Sequence, residues 1–308
     1  MGEFDDNFGP ATRITFGCVY MGLVLIALPI YGAIVWIFTT CPTFRRNPCY
    51  RIMSAIGLCD FVYLLGQFGV GLRVATDLEF SQDLERIIYS LPNAGFNGSI
   101  ILILLLALNR FCVLTNYFRP PTYAYTMAIV AFWLYALAIF LVFAIHGNGI
   151  LYNPSFMLTV FNEKDALVLG FKGYSIVISP VVFGTSFVLY AFISCFLITK
   201  RKQFASVQMQ NGINYSKEFK ILIQALLMFI CAAFININAA YGRFIFPKSY
   251  LYTGSLNSFL IFHSGLFYPI VYLSLNSDLR RELKKWFWKK GKVIRITTMQ
   301  SIVQHDSR

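Results

Sequence analysis

Seven stretches of the chain run for more than twenty residues with one charge or none, and this limits what it can fold into more than any other feature. Residues 14–44 are uncharged over 31 positions, and residues 52–72 carry only Asp60. Uncharged runs also cover 87–109, 120–162, 173–199, 221–242 and 249–277, over 23, 43, 27, 22 and 29 positions. A bilayer core is crossed by about 20 apolar residues in a helix. The 43-residue run is too long for one helix. Its second part holds His146-Gly147-Asn148-Gly149 and Asn153-Pro154, which read as a loop. The apolar piece that follows, 156–161, is too short to cross a membrane and is placed to cap a binding site. The runs are also too long and too continuous for barrel strands, which alternate over about 10 residues.

The expected fold is therefore all-α, a seven-transmembrane helix bundle. Its helices fall near 14–40, 52–72, 87–108, 123–145, 174–199, 221–241 and 251–275. Only 13% of the 308 residues are charged and 57% are hydrophobic. A soluble domain carries about 25% charge, so a soluble enzyme and a disordered chain are both excluded. The net charge of +12 does not point to nucleic acid, because the charges punctuate apolar runs instead of forming one basic face. No internal repeat is visible, which weakens a transporter reading without removing it.

Charge asymmetry sets the orientation. With the N-terminus outside, nineteen of the 26 Lys and Arg residues lie on the inner side and seven on the outer side. The first 13 residues hold Glu3, Asp5 and Asp6 with only Arg13 basic, unlike a signal peptide. Asp6 stands where a myristoylation site needs Ser or Thr. The chain then divides into an extracellular N-terminus (1–13), a seven-transmembrane bundle (14–275), an amphipathic cytoplasmic helix (276–292) and a tail (293–308). In that helix Asn276-Ser277-Asp278 can cap the start, and Leu279, Leu283, Trp286 and Phe287 share one face. Arg280, Arg281, Lys284, Lys285, Lys289 and Lys290 cover much of the rest and suit anionic membrane lipids. A basic flank that stops membrane transfer is the alternative.

All seven cysteines fall in spans or at their inner ends, so no extracellular disulfide is expected. The histidines, at 146, 263 and 305, are scattered and give no metal cluster. No cofactor is expected, and no span holds a lysine for a retinal Schiff base. No nucleophile, base and acid converge, so the chain is not read as an enzyme.

A few polar residues stand out within the spans. Asp60 is the one acid deep in a span, either a cation or proton switch or a neutral carboxyl packed between helices. Its candidate neighbours are Asn257, His263 and Ser264. Arg110, after Asn109 at the inner end of the third span, is either a retained inner-side charge or a guanidinium fork that engages two alternative packings. Pro269 loosens the seventh span near its inner end, where Tyr272 is either a switch hydroxyl or an interfacial ring. Pro180 favours a kink in the fifth span. Tyr89, Asn93, Phe96 and Asn97 on the third span, with Asn238, Tyr252 and Asn257 on the sixth and seventh, form the candidate ligand pocket. Polar contact between helices is the alternative for each of them.

Together these residues resemble a rhodopsin-like G-protein-coupled receptor, and more narrowly the nematode serpentine chemoreceptors of class T, with class X as the close alternative. The resemblance runs from about residue 14 to 290. It rests on Asn47-Pro48-Cys49-Tyr50-Arg51-Ile52-Met53 with Gly57-Leu58-Cys59-Asp60, and on Ala107-Leu108-Asn109-Arg110-Phe111. Glu218 with Gln224, His263-Ser264-Gly265, and Tyr268-Pro269 through Tyr272 to Asn276 complete it. It implies a switch built from Asp60, Arg110, Pro269 and Tyr272, and G-protein coupling through Asn109, Arg110 and Glu218. Asn109 replaces the acid that usually precedes this arginine, and Tyr268 replaces the usual seventh-helix asparagine. The sixth helix lacks its usual proline and tryptophan. The expected function is a chemosensory receptor in the plasma membrane, sensory cilia included. It would bind a small molecule, or alternatively a peptide, and activate a heterotrimeric G protein. A transporter or ligand-gated channel is the second reading.

Overall fold

The computed structural model describes residues 9–115, 118, 120–145, 149–153, 157–161, 164–204, 215–245 and 250–286. Helix α1 (Pro10–Thr40) leads through a short α2 (Pro42–Arg45) into α3 (Pro48–Thr76), α4 (Gln82–Thr115) and α5 (Thr122–Ile145). A hairpin of β1 (Ile150–Asn153) and β2 (Leu158–Phe161) comes next, followed by α6 (Ala166–Phe204) and α7 (Tyr215–Ile245). The last long element is α8 (Tyr250–Phe262), a π-helical turn (His263–Phe267) and α9 (Tyr268–Leu275) in continuous succession. Residues 277–286 form one more helix, α10.

Among the described residues, six helical segments are long and apolar enough to cross a membrane: α1, α3, α4, α5, residues 177–196 of α6, and the α8–α9 element. In α7 the described apolar stretch is Leu222–Asn238, shorter than the others. Helices α3, α4, α6 and α7 overrun their uncharged runs at both ends, because helix propagation does not stop where the hydrocarbon does. Local sequence sets the starts. Asn47 caps α3 by accepting from the Cys49 N–H at 3.0 Å, with Pro48 in the first turn. Asp165 caps α6, accepting from the Leu167 and Val168 N–H groups at 2.9 and 3.3 Å. Helix α6 continues through Pro180 as one element.

The burial pattern is inverted relative to a soluble bundle. Met127, Val130, Leu134, Leu137 and Leu141 recur every three or four residues on the outward face of α5, and all are exposed. Leu227, Ile230, Phe234 and Ile237 do the same on α7. The interior instead holds Asp60, Gln67, Asn97, Asn109, Arg110, Gln224, Asn257 and His263. Exposed apolar stripes on this scale are stable only in hydrocarbon. Close approach of backbones replaces hydrophobic driving force inside the bundle. At the α3–α4 seam, a Cβ on Gly95 would lie 2.5 Å from the Cys59 carbonyl oxygen and 2.8 Å from the Tyr63 nitrogen.

The segment after α5, read from sequence as a loop, is an antiparallel hairpin with Ile150 opposite Phe161 and Asn153 opposite Leu158. It lies against α3, α4, α6 and α8. Met157, at φ 50°, is fully buried, and Ile150 is nearly so. Phe161 joins Phe143 and Phe171 in a ring cluster with centroid distances of 4.9–6.4 Å. Runs of four residues are too short for an alternating pattern to show in the sequence.

Candidate functional site

At the end of the bundle where α3 passes into α4, the outer end in the orientation expected from sequence, Arg73 gathers the charge. Its Nη1 donates to the Asp77 carbonyl at 2.6 Å, and its guanidinium lies 3.7 Å from both Glu79 and Glu85. Arg13 of α1 forms an ion pair with Asp77. The Arg73 guanidinium also sits 5.3 Å above the Tyr152 ring, which fastens β1 across the outer end by a cation–π contact. Burial pushes the Tyr152 phenol above its ordinary range, while Arg73 and Arg13 oppose the shift.

The candidate pocket residues lie in this outer half, but most are bonded to one another or to their own helices. Tyr89 donates to Glu85 Oε1 at 3.3 Å. Asn97 donates to the Asn93 carbonyl at 2.9 Å, so the four-residue spacing brings them together within one helix. Tyr252 donates to the Asn238 carbonyl at 2.8 Å, and Asn238 Nδ2 donates to the Phe234 carbonyl at 2.8 Å. Asn257 bonds to Gln67 Oε1 at 3.3 Å, away from Asp60. Phe96 borders a small cavity of ≈ 10 Å³ with Ser99, Asn236, His263, Ser264 and Tyr268. His263 is buried there, and its Nε2 has no hydrogen-bond partner among the described residues.

Deeper in the bundle, Asp60 Oδ2 accepts a 2.7 Å hydrogen bond from the Tyr31 hydroxyl of α1. Of the neighbours expected from sequence, Asn257 is engaged by Gln67 instead. Tyr268 and Tyr272 lie within electrostatic reach of Asp60, and Tyr272 lies beside Tyr31. The Tyr268 and Tyr272 rings are 6.5 Å apart, and the His263 ring meets Tyr268 edge-on at 4.7 Å. The π-helical turn directly precedes Tyr268-Pro269. Pro269 cannot donate a backbone bond, so the helix changes its hydrogen-bond step just before it.

At the inner end, Arg110 is only 2% exposed. Its Nη2 donates to Cys49 Sγ of α3. Cys49 Sγ in turn lies 3.7 Å from Met53 Sδ, and Gln224 Nε2 of α7 approaches the same Met53 Sδ at 3.9 Å. Tyr190 of α6 is within electrostatic reach of Arg110. Tyr125 of α5 lies beside the Asn109 amide. The arginine of α4 thus stands against α3 and α6, with Gln224 of α7 reaching the same Met53 that Cys49 meets. Glu218 lies on α7, but its side chain is outside the described residues, as are residues 287–308 of the expected amphipathic helix and tail. Asn276 caps α10, accepting from the Leu279 N–H at 3.0 Å and donating to the Tyr50 hydroxyl at 2.9 Å. Leu279 is fully buried beneath this helix.

Tyr31 carries no motif, and its partnership with Asp60 had one indirect signal. Gly17, Tyr20, Val24, Ala27, Tyr31, Ile34 and Phe38 repeat at three- and four-residue spacing and form the buried stripe of α1. Gln67 had no comparable signal.

Exposed apolar stripes, a hairpin across one end and a buried arginine near the other describe a multi-helix membrane bundle. The crystal structure of squid rhodopsin has the same fold, with a TM-score of 0.75 at 13% identity over 91% of this chain and 82% of that one. Residues 6–296 match the family described as serpentine type 7TM GPCR chemoreceptor Srt, and the chain belongs to that family. It is thus a multi-pass membrane chemoreceptor of a signal-transducing, non-catalytic class. Among the described residues no group of three or more His, Cys, Asp or Glu is placed to hold a metal ion. No curated protein matches the sequence at a significant level.

Proposed function

We propose that the chain is a class T chemosensory receptor of the plasma membrane that binds a small molecule and activates a heterotrimeric G protein. The buried position of Arg110, bonded to Cys49 of α3 and near Tyr190 of α6, carries this reading. An arginine kept only as an inner-side topology signal would extend to the lipid headgroups. Here it is enclosed, with polarizable sulfur and a tyrosine around it. Parting of α6 and α7 from α4 would free its fork for a cytosolic partner, with Asn109 and Glu218 beside that opening.

The seven-span count supports this reading through α7, whose full uncharged run of 221–242 is long enough to cross. The N-terminus faces outside and the C-terminus the cytoplasm, as the basic inner side favours. Helix α10 and residues to 292 lie along anionic lipid. Asp60, Pro269 and Tyr272 form the mid-membrane switch, and the π-helical turn supplies a packing that can change step. Tyr89, Asn93, Phe96, Asn97, Asn238, Tyr252 and Asn257 surround the outer binding region, where their mutual bonds hold the unliganded bundle together. A peptide ligand is disfavoured by the hairpin across the outer end.

Nanodisc-embedded receptor, purified heterotrimeric G protein and a panel of small odorants and metabolites test the proposal. One or more compounds should accelerate guanine-nucleotide exchange. Solute or ion flux through liposomes containing the chain, with no exchange in the nanodisc assay, would replace the receptor by the transporter or channel reading.

A further inference from the structure

Between α3, α4 and α5 lies a second, larger cavity of ≈ 400 Å³, open on one side to the surface of the bundle. Its walls are Trp133, Phe140, Val62 and Leu91, and its floor is Cys59, Ala94, Gly95 and Ala136. Val130, Leu134 and Leu137 line the remaining side and are 49–60% exposed on the lipid-facing stripe of α5. No Asp, Glu, Lys, Arg, Asn, Gln, Ser, Thr or His lines it. The volume lies within the ~300–1,000 Å³ range of small-molecule sites.

We infer that this cavity is a binding site for an uncharged, hydrogen-bond-free small hydrophobe that enters from the bilayer. The inference rests on the receptor reading, since it names a ligand class for the small molecule. Three observations carry it. The outer end is covered by a hairpin whose Met157 is fully buried and whose Tyr152 is held under Arg73. Asn97 and Tyr252 donate to backbone carbonyls, and the cavity beside Phe96 has room for no more than about one water molecule. The lateral cavity, by contrast, already has ligand-sized volume and one wall on hydrocarbon.

The floor makes the site consequential. Cys59 precedes Asp60, and Gly95 touches the Cys59 and Tyr63 backbone so closely that a Cβ does not fit. An occupant resting on Ala94, Gly95 and Cys59 therefore bears directly on the α3–α4 seam, one residue from the carboxyl that binds Tyr31. An acyl chain of the bilayer is the competing occupant.

Trp133 supplies the probe. The test uses full-length receptor in nanodiscs with Trp36→Phe, Trp286→Phe and Trp288→Phe, so that Trp133 alone emits, and bromobenzene as an uncharged heavy-atom quencher. Quenching should saturate, with at least half of the emission lost in the saturable phase. Val130→Phe and Leu137→Phe fill the cavity from its exposed wall without altering buried packing and should leave only a linear response. Leu141→Phe, exposed on the same helix but outside the cavity, should retain saturation. Thermal melting verifies that each variant is folded. Linear quenching in the parent protein would overturn the inference. So would quenching by lipids brominated on their acyl chains that bromobenzene does not relieve, since lipid would then hold the cavity. The assay contains no G protein, so loss of the receptor reading would appear separately, in nucleotide exchange.

Discussion

Asp60 and Tyr31 illustrate the residue scale. The carboxyl stands out in sequence because a lone acid in an apolar run is expensive to keep. Its partner did not, because a tyrosine on an aromatic-rich helix looks like any other ring. The 2.7 Å bond makes Tyr31 the donor and Asp60 the acceptor. Asp60→Asn retains an acceptor oxygen of similar shape and should fold with nearly unchanged thermal stability. Asp60→Leu strands the buried Tyr31 hydroxyl and should destabilise the bundle by about 1–3 kcal/mol. The double variant Asp60→Leu/Tyr31→Phe should recover part of that loss. Thermal melting in one detergent checks the series, and equal destabilisation by Asp60→Asn and Asp60→Leu would argue against a role for the hydrogen bond. The position of Arg110 was legible from its motif, whereas Cys49, Met53 and Gln224 as its surroundings depend on how three helices meet.

Among the elements, long uncharged runs reveal helices because a membrane interior leaves the backbone no other open-ended solution. The same rule does not see features that are short or lie outside hydrocarbon. The β1–β2 hairpin, the helix ends beyond the charged residues and the π-helical turn all depend on tertiary contacts or on a local change of hydrogen-bond step. Glycine was equally mute in sequence and sharply differentiated in space. Gly95 meets the α3 backbone, while a Cβ on Gly22 would find nothing within 4 Å. Gly95→Val should force α3 and α4 apart, with an overpacking penalty of about 1–3 kcal/mol or more and a large fall in surface expression. Gly22→Val should leave expression near the parent level. Flow cytometry of a surface tag checks the pair, and similar expression of both variants would contradict the close α3–α4 seam.

For the whole molecule, the proposed orientation puts the N-terminus outside and the C-terminus in the cytoplasm. A tag after Gly2 should be reached by antibody on intact cells, while a tag after Arg308 should require permeabilisation. The central claim is that the inner end works as a two-state coupling device around Arg110. Neutral Asn109 offers no ion pair to this arginine, so on this account resting restraint is either weaker or comes from elsewhere, with Glu218 on α7 the candidate. A charge-assisted bond worth about 1.5–3 kcal/mol shifts a two-state population by roughly tenfold or more. Glu218→Ala should therefore raise basal nucleotide exchange, and Arg110→Ala should lower agonist-driven exchange at least tenfold with surface level preserved. The most direct measurement is guanine-nucleotide exchange on a purified G protein by parent and Arg110→Ala receptors, reconstituted at equal amounts and exposed to the same activating compound. The account predicts near-complete loss of stimulated exchange in Arg110→Ala. Unchanged maximal exchange would contradict it.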